Sequence, residues 1–192
     1  MSLVPERSVV RLGYTLFSTP IGRCALVWGG HGLVGVALPA ASESVTRRHL
    51  SQHFALAREA LPPADVERTI TRIVALLNGV PDDLSDVAID LAGVPAFHRR
   101  VYELARGIAP GATLTYGEVA LRLGEPHAVR AVGQALGANP WPIVVPCHRV
   151  LEAGGKAGGF SAPGGLRTKL RLLQIEGAVL GGTPGLFDAR VS

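Results

Sequence analysis

An apolar run, Ile143-Val144-Val145-Pro146, delivers Cys147 next to His148, Arg149 and Val150. Sulfur reacts as thiolate, and an adjacent imidazole or guanidinium favours that form. Cys147 is therefore a candidate nucleophile with a lowered pKa. On this stretch alone the reactive reading and the inert buried one stand level. Cys24, between Arg23 and Ala25, has no comparable setting and reads as core.

Just beyond the cysteine, residues 154–165 (Gly-Gly-Lys-Ala-Gly-Gly-Phe-Ser-Ala-Pro-Gly-Gly) form a glycine-rich loop. It lacks the Gly-Lys-Ser/Thr ending of a P-loop, but its glycines let backbone amides approach a ligand closely. Upstream, a helix over 126–138 places Ala128, Ala131, Ala135 and Ala138 in one stripe beside Gly133 and Gly137. Arg130 is the only charged side chain between His127 and Asn139. So bare a helix packs tightly on another helix or enters a narrow groove. Cys24, His31, His49 and His53 read as scattered, and no metal site is expected.

These residues need a scaffold. Residues 8–18, Cys24–Trp28 and Leu33–Leu38 read as three strands around the turns at Thr19–Gly22 and Gly29–Gly32. Ser42 or Ser44 caps a helix to about Ala60, and Pro63 or Asp65 opens a second one ending at Asn78-Gly79. Val87–Leu91 reads as a short strand. From Pro95 the spacing predicts a helix that Pro110-Gly111 ends. A short helix over Tyr116–Leu123 follows, then the one over 126–138; with the tight turn at Gly124 these read as a helix-turn-helix. Leu166–Ile175 reads as an amphipathic helix bearing Arg167, Lys169 and Arg171. The expected fold is α+β: an N-terminal antiparallel-sheet and helix unit (1–92) packed on a mostly helical domain (93–180), then a tail (181–192).

Of the 192 residues, 47% are hydrophobic and 18% charged, with a mean hydropathy of +0.29, which excludes a disordered chain. Two cysteines exclude a disulfide framework and fit a reducing compartment. Met1–Gly13 carries Glu6, Arg7 and Arg11 and no signal-like apolar stretch, while the uncharged Cys24–Ala41 is interrupted by Gly29-Gly30-His31-Gly32. A cytoplasmic protein without membrane contact is expected. Residues 1–92 hold 8 Arg against 9 acidic residues, and 93–192 hold 11 Lys and Arg against 6 acidic. Any polyanion therefore belongs to the second half.

Pro146-Cys147-His148-Arg149-Val150 stands in order with Thr115-Tyr116, Arg130-Ala131-Val132-Gly133, Asn139-Pro140, Gly159-Phe160-Ser161, and Lys169 followed by Glu176-Gly177. Over about residues 95–177 this resembles the O6-alkylguanine-DNA alkyltransferases, also called methylated-DNA–protein-cysteine methyltransferases. The resemblance implies a single-turnover transfer of the alkyl group from O6-alkylguanine, and from O4-alkylthymine, in double-stranded DNA to Cys147. It implies His148 as base through a water, Glu176 orienting His148, and Asn139 bracing the turn. Tyr116 would donate toward N3 of a flipped guanine and Ser161 toward its O6, with Pro142 and Val150 among the substrate-binding residues. Helix 126–138, with Ala131 and Gly133, would lie in the minor groove, and Arg130 would fill the place of the extruded nucleotide. No cofactor, metal or obligate protein partner is implied, and the protein is expected to be a monomer.

Two departures stand out. Ala162-Pro163 lengthens the loop after Ser161 by two residues relative to the commonest family pattern, and Phe160 stands where Tyr is frequent. A cysteine hydrolase is the competing reading, but no triad signature accompanies Cys147. A non-catalytic DNA binder would lack that cysteine, and no second DNA-binding module for a transcriptional role is evident.

Overall fold

The computed structural model describes residues 12–180. The first residues of the expected strand 8–18 and the expected tail 181–192 lie outside them. β1 (Gly13–Thr19) runs antiparallel to β2 (Gly22–Gly29), with Tyr14 opposite Val27. β3 (Gly32–Ala37) pairs antiparallel on the other edge of β2, its register shifting between Val27 and Trp28. Strand alternation sends Phe17, Cys24, Leu26 and Trp28 into one core and Leu16, Ala25 and Val27 into a second, smaller one under Leu50.

α1 (Glu43–His53) starts at Ser42, whose Oγ accepts from the Val45 N–H at 3.3 Å. It stops at His53, well short of the expected Ala60. Phe54 leaves the helix to lay its ring over Gly35, where a Cβ would stand 2.3 Å from Phe54 Cζ. The chain then forms β4 (Arg58–Glu59), which pairs parallel with β1, giving the order β3-β2-β1-β4. The sheet expected to be antiparallel thus carries one parallel edge strand. α2 (Ala64–Leu77) buries Val66, Ile73, Leu76 and Leu77. Val87–Leu91 makes only a single bridge, Leu33 to Ile89. Asp90 turns the chain away by accepting from the Ala92 N–H at 2.9 Å.

In the second half, α3 (Ala96–Arg106) opens at Pro95 and ends at Gly107, ahead of Pro110. β5 (Leu114–Thr115) leads into α4 (Tyr116–Arg122) through a capping box. Thr115 Oγ1 accepts from the Glu118 N–H at 3.2 Å, and Glu118 Oε2 from the Thr115 N–H at 2.6 Å. α5 (Val129–Gly137) begins three residues later than expected. The segment before it closes as a turn, the Ala128 N–H donating to Glu125 O at 2.8 Å. β6 (Val150–Leu151) pairs parallel with β5, and α6 (Gly165–Ile175) closes the described chain. The larger core runs without a break from Leu26 and Ile73 to Val101, Val132 and Val145, so the expected boundary at 92/93 falls within one shared core. No helix among the described residues is long and apolar enough to cross a membrane.

Candidate active site

Cys147 opens a single 3-10 turn, Cys147–Arg149, at the end of a strained approach. Ile143, a β-branched residue, sits at φ +77°, a conformation that costs on the order of 1–3 kcal/mol. The strain is held by bonds across it. The Val145 N–H donates to Trp141 O at 2.7 Å, Asn139 Nδ2 donates to Val145 O at 2.8 Å, and Asn139 Oδ1 accepts from the Trp141 N–H at 3.0 Å. One asparagine thus bridges both ends of the turn. From the sheet side, the Val36 N–H donates to Pro140 O at 2.8 Å and Trp141 Nε1–H to Leu33 O at 2.8 Å.

The thiol is not the low-pKa group expected. Burial pushes Cys147 above its ordinary value; the Asn139 side chain, the Lys169 charge and the backbone N–H groups of Cys147 and His148 pull it back only in part. Arg149 does not activate the sulfur, because its guanidinium is spent elsewhere. It is wholly buried and grips Glu176 with two bonds, Nε to Oε2 and Nη2 to Oε1, each 2.8 Å, while Nη1 donates to Ile108 O. His148 Nε2 lies 3.0 Å from the same Glu176 Oε1. A carboxylate only accepts, so Nε2 carries the hydrogen and Nδ1 keeps its lone pair. Nδ1 is buried and has no partner among the described residues.

Burial raises Glu176 toward its neutral form, but the bonds from His148 and Arg149 outweigh it and bring the carboxyl down to about 2. Burial holds His148 below its ordinary value although Glu176 opposes it. The resting site is a thiol beside a neutral imidazole that is backed by a fixed carboxylate. Gly111, at φ +82°, lets the Glu176 backbone come close, since a Cβ there would stand 2.9 Å from Glu176 O.

Lys169, one of the three basic residues of α6, is fully buried. Its Nζ donates to Val150 O at 2.7 Å and lies 5.9 Å from the centroid of the Tyr116 ring. A lysine three and four residues before Leu172 and Leu173, in the apolar stripe, was the signal in the sequence. Tyr116 is half-buried, and burial followed by the nearby Cys147 and Glu152 charges raises its hydroxyl, so it stays a donor. Its ring lies against α5, where a Cβ on Gly133 would stand 4.0 Å from Tyr116 Cε1. Ser161 is exposed at the rim of a groove of about 840 Å³ that Cys147, Pro142 and Asn139 also line. Tyr116 is not among the residues lining it.

On α5, Arg130, Gln134 and Gly137 are exposed and Ala131 and Gly133 half-buried. The expected alanine stripe breaks up: Ala135 turns inward with Val132 and Leu136, and its carbonyl accepts from Tyr102 Oη at 2.9 Å. The outer face therefore carries Val129, Arg130, Gln134 and Gly137, with Ala131 and Gly133 half-buried beside them.

Residues 96–178 match the family model described as 6-O-methylguanine DNA methyltransferase, DNA binding domain. A methylated-DNA–protein-cysteine methyltransferase of Methanothermobacter thermautotrophicus is 34% identical over 163 residues, covering 85% of this chain and 84% of the relative. The chain belongs to this methyltransferase family. The relative of the same name from Mycobacterium tuberculosis is 33% identical over 175 residues, covering 91% of this chain and 98% of its own. The structure of Mycobacterium tuberculosis OGT in complex with DNA superposes with a TM-score of 0.69 at 34% identity, covering 86% of this chain and 92% of that one.

Within this methyltransferase fold the loop through Ala162-Pro163 is held by two hydrogen bonds. The Gly165 N–H donates to Ala162 O at 3.0 Å, and Thr168 Oγ1 donates to Pro163 O at 2.8 Å. Cys24 lies far from such chemistry: burial pushes its thiol up to about 12 despite a contact with Thr19 Oγ1 at 3.7 Å. Among the described residues no three His, Cys, Asp or Glu side chains are placed to hold a metal ion. His49 and His53, which read as scattered in the sequence, stand four apart on α1 and stack with ring centroids 4.1 Å apart.

Proposed function

We propose that this chain repairs DNA by moving the alkyl group from O6 of guanine, and from O4 of thymine, to Cys147 Sγ once per molecule. The observation that carries the reading is the Cys147–His148–Glu176 arrangement on a strained turn, in a fold whose relatives are named for that reaction. The thiol proton passes to His148 Nδ1 through a water, and Glu176 steadies the imidazolium that forms. Sγ attacks the alkyl carbon in line, the carbon–O6 bond breaks, and the electron pair leaves on guanine. That anion is stabilised by donors, for which Tyr116 and the Ser161 region are the candidates. The thioether is stable, so the protein is consumed. The high thiol pKa fits this order: the sulfur is deprotonated on demand and does not rest as an exposed thiolate.

A carbon within a duplex is out of reach, so the base must leave the stack. The outer face of α5 suits a minor groove, with small residues for close approach and Arg130 long enough to fill the gap. Val150, beside the turn, serves the base pocket. The basic second half supports double-stranded DNA as the partner, and we take the working form to be a monomer. Dependence on a free thiol supports a reducing, cytoplasmic setting. The halves 1–92 and 93–180 take the roles of scaffold and working domain. The test is stoichiometry: O6-methylguanine in a duplex should be restored to guanine up to one equivalent per protein and no further. Continued turnover would contradict the proposal and favour a hydrolase.

A further inference from the structure

The groove beside Cys147 runs past the reacting sulfur to α1, reaching residues that the transfer chemistry does not use. Pro142 and the Phe160–Gly164 loop form its near end, and Val45, His49, His53 and Phe54 its far wall. About 840 Å³ is a volume that takes a drug-sized molecule, far more than a methyl group needs. Among the described residues no Asp, Glu, Lys or Arg lines it, and besides Cys147 the two histidines are its only titratable side chains. Their rings stack at 4.1 Å and 27°, and His53 Nδ1–H donates to His49 O at 3.1 Å. Burial, and then the neighbouring His53, holds His49 below its ordinary value, so it presents a neutral aromatic face.

We propose that α1 of the N-terminal half walls a subsite for the distal part of large, uncharged O6 substituents, aromatic ones above all, and disfavours those ending in a carboxylate. The inference rests on alkyl transfer to Cys147 as the reaction. The groove is continuous with the sulfur, so a group attached to the reacting carbon extends along it toward α1. A phenyl ring there meets Phe54, Phe160 and the histidine stack. A carboxylate there would give up part of its water and find no cation among the described lining residues to compensate.

Three single-turnover rates test this: O6-methylguanine in duplex DNA, free O6-benzylguanine, and free O6-(4-carboxybenzyl)guanine, the last two sharing the same reacting carbon. The benzyl compound should react about tenfold or more faster than its carboxylate. Val45→Trp should slow benzyl transfer about tenfold and leave methyl transfer from DNA within about twofold. His53→Lys, which supplies a cation on an exposed turn of α1, should bring the carboxybenzyl rate toward the benzyl rate. Equal rates for the two benzyl substrates in the unaltered protein, or an unchanged benzyl-to-methyl ratio in Val45→Trp, would overturn the subsite. Failure of the unaltered protein to take a methyl group would instead overturn the reaction itself.

Discussion

The indole Nε1–H of Trp141 donates to the carbonyl of Leu33, 2.8 Å away and 108 residues earlier in the chain. The same carbonyl accepts the Asp90 N–H at 2.8 Å, so both of its lone pairs are used. The bond fastens the turn that carries Cys147 to the edge of the sheet, and the indole packs edge-on against Tyr102 at 5.8 Å. Trp141→Phe keeps an aromatic ring and leaves Leu33 O bonded to Asp90; it should cost about 1–2 kcal/mol. Trp141→Ala also empties the space and should cost about 3–5 kcal/mol. Urea unfolding of the two variants separates the contributions, and equal losses would mean that the bond, not the packing, holds the turn.

Glu176 ties His148 to Arg149, and its removal should be felt as stability. Glu176→Gln leaves the buried Arg149 guanidinium without its carboxylate and should cost about 3 kcal/mol or more. The sign of the pH effect follows from the depressed carboxyl. Glu176 stabilises the fold above its ordinary value of 4.5, and that contribution is lost as pH falls toward about 2. His148, lowered from 6.5, adds stability above its ordinary value and loses it as pH falls below. Acid titration of unfolding should show both losses in the unaltered protein and only the histidine's in Glu176→Gln. An unchanged profile between 4.5 and 2 would remove Glu176 from this role.

Arg130 stands on the outer face of α5 with no ion pair or hydrogen bond among the described residues. Unstacking a base costs a few kcal/mol, and losing part of the compensation should slow repair of duplex DNA on the order of tenfold. Arg130→Ala should leave reaction with free O6-benzylguanine nearly unchanged, because a free base needs no flipping. Equal losses on both substrates would place Arg130 in the pocket or the folding core.

Ser161 sits at the groove rim, and a donor to the leaving oxygen matters most as charge develops there. Ser161→Ala should slow alkyl transfer about tenfold to a hundredfold. Alkylation of Cys147 by iodoacetamide, whose leaving group needs no such donor, should change little. Comparable losses in both reactions would mean that the substitution disturbs the sulfur.

Much of this arrangement was legible in the chain. The β-meander follows from alternating apolar residues around Thr19–Gly22 and Gly29–Gly32, and the start of α4 from Thr115 and Glu118 three residues on. Cys147 was marked by its neighbours. What was illegible depended on contacts distant in sequence. The end of α1 is set by Phe54 meeting Gly35 across the sheet, and the thiol pKa by burial that no local window reveals. Arg149 reads as an activating charge until its bonds to Glu176, 27 residues away, are in place. The groove wall on α1 needs the two halves packed together, although the His49–His53 spacing was there to be read.

Cys147 as the alkyl acceptor is tested most directly by mass. After reaction with a duplex containing O6-methylguanine, the intact protein should gain a single methyl increment, and peptide fragmentation should place it on Cys147. Cys147→Ser should gain nothing, and Cys24→Ser, altering a thiol buried in the sheet core, should gain the same increment as the unaltered protein. A methyl group found on Cys24, or guanine restored with Cys147 unmodified, would contradict the assignment.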